Sequence, residues 1–382
     1  MENVTFSQEE ALELLKLMVS TNTINGNEII LEKKLQSILE KEGLECTIDE
    51  FGENGRANML VKYPGKDHSK PILAMSGHMD TVPIGKASWK HDPFTCDIED
   101  DKLYGRGAAD MKGGDAACLY AMILMKRAGI VPPQDIIFIA TAGEESLSLG
   151  AKHFVECNGM KDVGTLVICE PSGLNLTVAH KGAIWVKVEF FGKTAHGSMP
   201  NLGINALLQM TSFIEAIRKM PFDIKPNELL GLPTVSVNKC TAGSATNVVP
   251  DHAEVELDFR TIPGQTWDDI KIMLDKALDL ASKDNPNFSA KYSYMGEILA
   301  PVACPDGHHM LADFDAAAGR QLQRESVNFF TDASILVTPN LPVVVFGPGE
   351  ASQAHQPNEH IPLKQFYESI NIYYNFMKNY QI

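Results

Sequence analysis

The sequence lacks the marks of several large functional classes. Its seven cysteines (Cys46, Cys96, Cys118, Cys157, Cys169, Cys240 and Cys304) include no CxxC pair. That removes the zinc-finger patterns, and an odd number of scattered thiols suits a reduced state better than a disulfide framework. No unbroken apolar run reaches the ~20 residues that a membrane helix needs. The opening stretch MENVTFSQEEALELLKLMV has no cationic region ahead of an apolar core, so a soluble, cytoplasmic protein is expected. Positive charge is in deficit, with 33 Lys and Arg against 49 Asp and Glu and a formal net charge of −16. A phosphate backbone or an anionic membrane calls for a basic face, so neither nucleic acid nor membrane is expected as a partner. The glycine-rich GRGAADMKGG contains neither GxGxxG nor GxxxxGK[ST], which argues against a nucleotide loop. There is no internal repeat, low-complexity tract or Pro/Ser-rich linker.

What is present is a chain of 382 residues, 44% apolar, long enough for a sizeable core and, by length, for two domains. Ser7 and Glu10 have the spacing of a capping box ahead of an amphipathic helix. Strand-length apolar runs then alternate with helical stretches: PILAM (71–75), AACLYAMILMKRAG (116–129), DIIFIAT (135–141) and TLVIC (165–169). Such alternation predicts an α/β sheet covered by helices. Between about 180 and 293 the texture changes to IWVKVEFFG, TVSVNKCTAG and HAEVELDFRTIP, separated by helical stretches at 203–219 and 267–283. This order predicts a four-stranded antiparallel sheet carrying two helices. PVVVFG (342–347) again resembles the buried strands of the first part. The expectation is a discontinuous main domain, 1–179 and 294–382, interrupted by an inserted α+β domain, 180–293.

The chemistry-bearing residues fall at strand ends. His78 and Asp80 in SGHMDTVP follow PILAM, Glu144 and Glu145 in TAGEES follow DIIFIAT, Glu170 follows TLVIC, and His355 lies in the loop after PVVVFG. In an open α/β sheet the crevice beyond the carboxyl ends of the strands is where ligands bind. Asp110 lies in the glycine-rich turn LYGRGAADMKGGDAA, just ahead of a helix. A single loop acid is usually a solvated surface residue and a lone histidine usually structural, but coincidence is a poor account of all these positions together. Two histidines and three carboxylates, with no thiolate, suit two divalent transition metals sharing a carboxylate: zinc first, with cobalt or manganese as alternatives.

These motifs resemble the co-catalytic zinc metallopeptidase family that includes acetylornithine deacetylase, succinyl-diaminopimelate desuccinylase, aminoacylase and glutamate carboxypeptidase. SGHMDTVP, GRGAADMKGG and TAGEES stand in that family's order and spacing, with CEP and AHQPNE where its remaining ligands belong, so the resemblance spans nearly the whole chain. It implies that His78, Asp110, Glu145, Glu170 and His355 hold two metal ions. It further implies that His78 and Glu170 serve different ions bridged by Asp110, with Glu145 completing the first set and His355 the other. Asp80 is expected to accept a hydrogen bond from the His78 ring, and Glu144 to act as general base toward a bridging water. GKTAHGSMPNLGINA, ATNVVP and LDFR are similar to the family's lid segments. They imply that His196 stabilises an oxyanion in a partner subunit's site, and that Asn247 and Arg260 hold the substrate, Arg260 through its carboxylate. From spacing alone, His196 capping a turn and Arg260 making a surface ion pair would be the simpler readings. The chain departs from many family deacylases in reading NFFTDASIL where they carry a glycine-rich segment, although Thr331 and Asp332 match.

The implied fold is a mixed-sheet zinc-peptidase catalytic domain with a ferredoxin-like lid and dimerisation insert. The implied activity is metal-dependent removal of an N-acyl group from an amino acid by a homodimer. N-succinyl-diaminopimelate (in lysine and cell-wall precursor synthesis) or N-acetylornithine is the expected substrate. A dipeptidase, tripeptidase or carboxypeptidase with the same centre is the alternative, and a non-catalytic metal-binding scaffold a third reading.

Overall fold

The computed structural model describes residues 6–382. Ser7 caps helix α1 (Gln8–Ser20) by accepting the Glu10 N–H, and Ala11, Leu14, Leu15, Met18 and Val19 form its buried stripe. There follow α2 (Glu28–Lys41), β1 (Glu45–Glu50), β2 (Ala57–Tyr63), β3 (Ile72–His78), the short β4 (Ile98–Glu99) and β5 (Lys102–Tyr104), α3 (Lys112–Arg127), β6 (Ile136–Thr141), α4 (Leu149–Glu156), β7 (Val163–Ile168) and β8 (Leu176–His180). The middle of the chain forms β9 (Gly182–Phe191), α5 (Ala206–Ile217), β10 (Thr234–Ala242), β11 (His252–Thr261), α6 (Trp267–Ser282) and β12 (Ala290–Leu299). The last part contributes β13 (Val302–Ala303), α7 (Met310–Ala318), β14 (Arg324–Val327), α8 (Ala333–Leu336), β15 (Val343–Val345), β16 (His360–Pro362) and α9 (Leu363–Asn379).

The chain divides into two compact units, one of residues 1–179, 303–326 and 331–382, the other of 180–302 and 327–330. The break expected at 293/294 falls inside β12, which pairs with β9 from Ala290↔Phe190 to Leu299↔Ala183. Strand pairing holds those residues in the second unit, and the boundary moves to 302/303.

In the first unit the sheet runs β1-β2-β6-β3-β7-β15-β8, with β13 beyond β8 and β14 also paired to β8. The four central strands β6, β3, β7 and β15 are mutually parallel, whereas β1, β2 and β8 add antiparallel pairs. This is the expected mixed α/β sheet. Its parallel strands are apolar along their length, as burial on both faces requires: all six residues of β6 are buried. Helix α3 is buried from Lys112 to Met125 and packs on α9. Phe314, Phe346, Tyr373, Phe376 and Tyr380 close that side with ring contacts.

The second unit has the order βαββαβ and the sheet order β10-β11-β9-β12, a ferredoxin-like arrangement. Along β9 and β11 buried and partly exposed residues alternate, so one face presents Val186, Val188, Phe190, Val255 and Phe259 to Phe213 and Leu274 of the two helices. The other face carries the ion pairs Lys187–Glu254, Lys239–Glu256 and Lys291–Glu189.

Candidate metal centre

Because β6, β3, β7 and β15 run parallel, their carboxyl ends lie along one margin of the sheet, and the strand-end residues meet there. His78 is the last residue of β3. Its Nε2 stands 3.0 Å from Asp110 Oδ1 and 3.5 Å from Glu170 Oε1. His355 Nε2 lies 2.9 Å from Glu145 Oε1 and 3.3 Å from Asp110 Oδ2. Asp110 thus offers one oxygen to each histidine. The sets His78/Asp110/Glu170 and Asp110/Glu145/His355 each bring their donor atoms within 4.8 Å of one another, and Glu144 joins His78 and Glu145 in a third such set. The pairing corrects the expectation from resemblance: His78 stands with Glu170, and Glu145 with His355. β3 lies between β6 and β7, so both Glu145 and Glu170 come near His78, and it is the direct 2.9 Å approach of His355 to Glu145 that sets those two together.

Asp80 also works differently from the expectation. The His78 Nδ1–H donates to the backbone carbonyl of Asp80 at 3.0 Å, while the Asp80 carboxylate is 3.7 Å away. The carboxylate instead accepts the backbone N–H of Glu144 at 3.0 Å and of Glu145 at 3.2 Å. One residue therefore fixes the His78 tautomer, leaving Nε2 as the free donor, and pins the turn that carries both glutamates. Gly77 is required by this crowding, because a Cβ there would lie 1.8 Å from Asp115 Oδ1.

The electrostatics call for added positive charge. Burial, then the charges of Asp110, Glu144 and Glu145, push the Glu170 carboxyl well above its ordinary value, against the pull of His78. Burial does the same to Glu144, helped by Asp332, Glu145 and Asp110. At Asp110 burial works upward, but hydrogen bonds from His355 and His78 outweigh it and hold the carboxyl below its usual range. Burial would neutralise His78, yet Asp110, Glu170 and Asp80 hold its imidazolium well above the ordinary value. Hydrogen bonds to Asp110 and Glu145 raise His355 to about 10. A buried carboxylate cluster with two imidazoles and only oxygen and nitrogen donors fits divalent cations of borderline to hard character.

Comparison with known proteins settles the family. The model of peptidase family M20/M25/M40 matches residues 74–379. The chain belongs to that family. It is 31% identical to a probable succinyl-diaminopimelate desuccinylase of Staphylococcus aureus (strain MSSA476), over 97% of each chain. It is 30% identical to an acetylornithine deacetylase of Photorhabdus laumondii, over 92% of each. Its fold is similar to that of aminopeptidase PepT from Bacillus cereus, with a TM-score of 0.80 and 22% identity over 97% of this chain and 98% of the other. The protein is thus an M20 hydrolase with candidate metal-ligand groups at the strand ends.

Several residues of this M20 site carry roles not apparent in the sequence, including Asp332, which matches the family's pattern there. Glu359 is fully buried and accepts the N–H groups of Gly107, Ala109 and Asp110 at 3.0–3.1 Å, with Arg106 paired to the same carboxylate. It shapes the loop that presents Asp110, and its only sequence signal was its place at the end of AHQPNE. Burial, aided by Asp110 and opposed by Arg106, pushes its carboxyl up to about 7. Asp332 accepts the Thr141 hydroxyl at 2.5 Å, and burial raises its carboxyl too. Arg56 joins Glu28 at 2.8 Å to the Ser146 hydroxyl at 3.3 Å, bracing the Glu144–Ser146 turn.

His196, Asn247 and Arg260 lie in the second unit. His196 and Asn247 sit on adjacent exposed loops joined by the His196–Val248 bridge and by the Gly197 N–H donating to the Asn247 carbonyl at 2.7 Å. The Ser198 N–H donates to His196 Nδ1 at 3.2 Å, so the ring proton belongs on Nε2. Arg260 Nη2 donates to Asp258 at 3.0 Å, with the Phe330 ring 5.7 Å from the guanidinium carbon.

Proposed function

We propose that this M20 enzyme removes an N-acyl group from an amino acid, with N-succinyl-diaminopimelate as first substrate and N-acetylornithine as second. The observation that carries the reading is the pair of three-donor sets sharing Asp110 with Glu144 beside them. The two deacylase-named relatives, about 30% identical over nearly the whole chain, supply the substrate class. In this proposal His78, Asp110 and Glu170 hold one divalent ion and Asp110, Glu145 and His355 the other, zinc being the best fit to imidazole and carboxylate donors. Bound there, the ions supply the Lewis acidity that lowers the pKa of water toward about 7 and polarises an amide carbonyl.

The chain's own groups do the rest. Glu144 accepts the proton of the attacking water and returns it to the departing amine. A carboxylate held beside the proposed metal-ligand groups without being one of them is placed for that exchange. Asp80 keeps Glu144 and Glu145 in register through their backbone N–H groups. His196, with its proton on Nε2, has the donor needed to stabilise the oxyanion of a neighbouring subunit's substrate, a role that calls for a homodimer. Arg260, with Asn247, takes the substrate carboxylate, exchanging its contact with Asp258 for a bidentate one. The enzyme is assigned to the cytoplasm. Among the described residues no helix is long and apolar enough to cross a membrane.

The likeness to an aminopeptidase concerns the fold and leaves a di- or tripeptidase as the second reading. Amine release from zinc- or cobalt-loaded protein given N-succinyl-diaminopimelate, N-acetylornithine, other N-acyl amino acids and simple di- and tripeptides separates them. Cleavage of the acylated compounds supports the proposal. Cleavage restricted to peptides with a free α-amine overturns the substrate class and keeps the metal centre.

A further inference from the structure

Away from the strand-end cluster, one group on the first unit combines three different ligand types. His153 lies in α4 and Cys157 caps its end, with the Cys157 N–H donating to the His153 carbonyl at 3.0 Å. A spacing of four residues places both side chains on one helix face. Asp49 of β1 approaches from the sheet, its Oδ2 2.9 Å from His153 Nε2, and Cys157 Sγ is 3.9 Å from the same nitrogen. All three donor atoms lie within 4.8 Å of one another. Phe51 stacks on the His153 ring at 4.5 Å and 14°, which fixes the plane in which Nε2 points.

We propose that Asp49, His153 and Cys157 form a separate binding site for a divalent transition metal, with zinc as its ion. Zinc bonds of about 2.0–2.3 Å in tetrahedral geometry place neighbouring donors roughly 3.3–3.6 Å apart. The observed 2.9 and 3.9 Å bracket that range, so small side-chain rotations complete the chelate, and water takes the open position. The same geometry disfavours a thiol nucleophile. A nucleophile, base and acid in relay need the acid on one ring nitrogen and the thiol on the other, whereas here both crowd Nε2. The proposed site differs in chemistry from the strand-end cluster, none of whose donors is sulfur, so it stands or falls independently of the function proposed above.

Cobalt reads this difference directly, since thiolate ligation gives a sulfur-to-cobalt charge-transfer band that oxygen and nitrogen donors do not. Chelator-stripped full-length protein titrated with Co2+ is expected to develop that band, which added Zn2+ then removes. Cys157→Ser is expected to lose the band and bind one cobalt fewer per chain while hydrolysing amides as before. Asp49→Asn should weaken cobalt binding at the band by at least about tenfold, since even residues that only orient a ligand cost that much. Zn2+ should also slow iodoacetamide labelling of Cys157 but not of Cys240, the other exposed thiol. No sulfur band in the wild-type protein, or a band that persists in Cys157→Ser, overturns the site. Unchanged affinity in Asp49→Asn overturns the three-ligand assignment.

Discussion

Asp110 divides its two oxygens between His78 and His355, and this division depends on a residue that carries no metal itself. Glu359 gathers the N–H groups of Gly107, Ala109 and Asp110 and the Arg106 guanidinium around one buried carboxylate. Glu359→Gln should therefore lower metal affinity about 10- to 100-fold, as loss of a ligand-orienting partner does elsewhere, with apo-protein melting changed far less. Metal titration by calorimetry beside thermal unfolding of the apo form checks it, and unchanged affinity would remove Glu359 from the site's support. That these candidate donors would gather at one margin of the sheet was legible, because an acid or histidine directly after an apolar run announces a strand end. Their pairing was not, because it turns on where the loop carrying His355 meets Glu145, an approach across 210 residues that chain order does not reveal. The roles of Asp80 and Glu359 were hidden for a related reason, since both act on backbone N–H groups of distant loops.

At the scale of elements, α2 carries a conflict that its helical pattern conceals. Glu32 is fully buried there, and neither of its oxygens has a hydrogen-bond partner. Burial, then the charges of Glu28 and Glu50, push its carboxyl from 4.5 up to about 9. The folded chain thus keeps a proton that the unfolded chain releases above about 4.5, so this residue's contribution to stability falls as pH rises from there to about 9. Glu32→Met should raise stability by roughly 4 kcal/mol more near pH 8 than near pH 5, since each tenfold difference in proton affinity between the folded and unfolded chain is worth about 1.4 kcal/mol. Urea unfolding at the two pH values measures this, and an equal gain at both would refute the assignment. Element types were read well from periodicity, while their ends were not. β3 continues past PILAM to His78 because Gly77 lets the strand pass Asp115 closely. α3 begins four residues before AACLYAMILMKRAG, at Lys112, whose buried ammonium donates to the Met18 and Thr21 carbonyls.

For the whole molecule, the insertion of a βαββαβ unit into a mixed α/β-sheet domain was visible as a change of texture, but its exit was misplaced because β12 runs on through Leu299. If His196 serves a neighbouring chain's site, two inactive variants should complement each other. His196→Ala and Glu144→Ala, each expected to lose about 100-fold or more in turnover, should regain activity when co-expressed, because the mixed dimer contains one site with both residues intact. Activity no greater than that of the variants alone would place His196 in its own chain's site or outside catalysis. The central claim, that a glutamate beside an Asp110-bridged metal centre moves the proton in amide hydrolysis, is tested most directly by Glu144→Ala assayed for metal content and turnover of N-succinyl-diaminopimelate in one preparation. The account predicts full metal occupancy with turnover reduced about 100- to 10,000-fold. Turnover near that of the wild-type enzyme at equal metal content would contradict it.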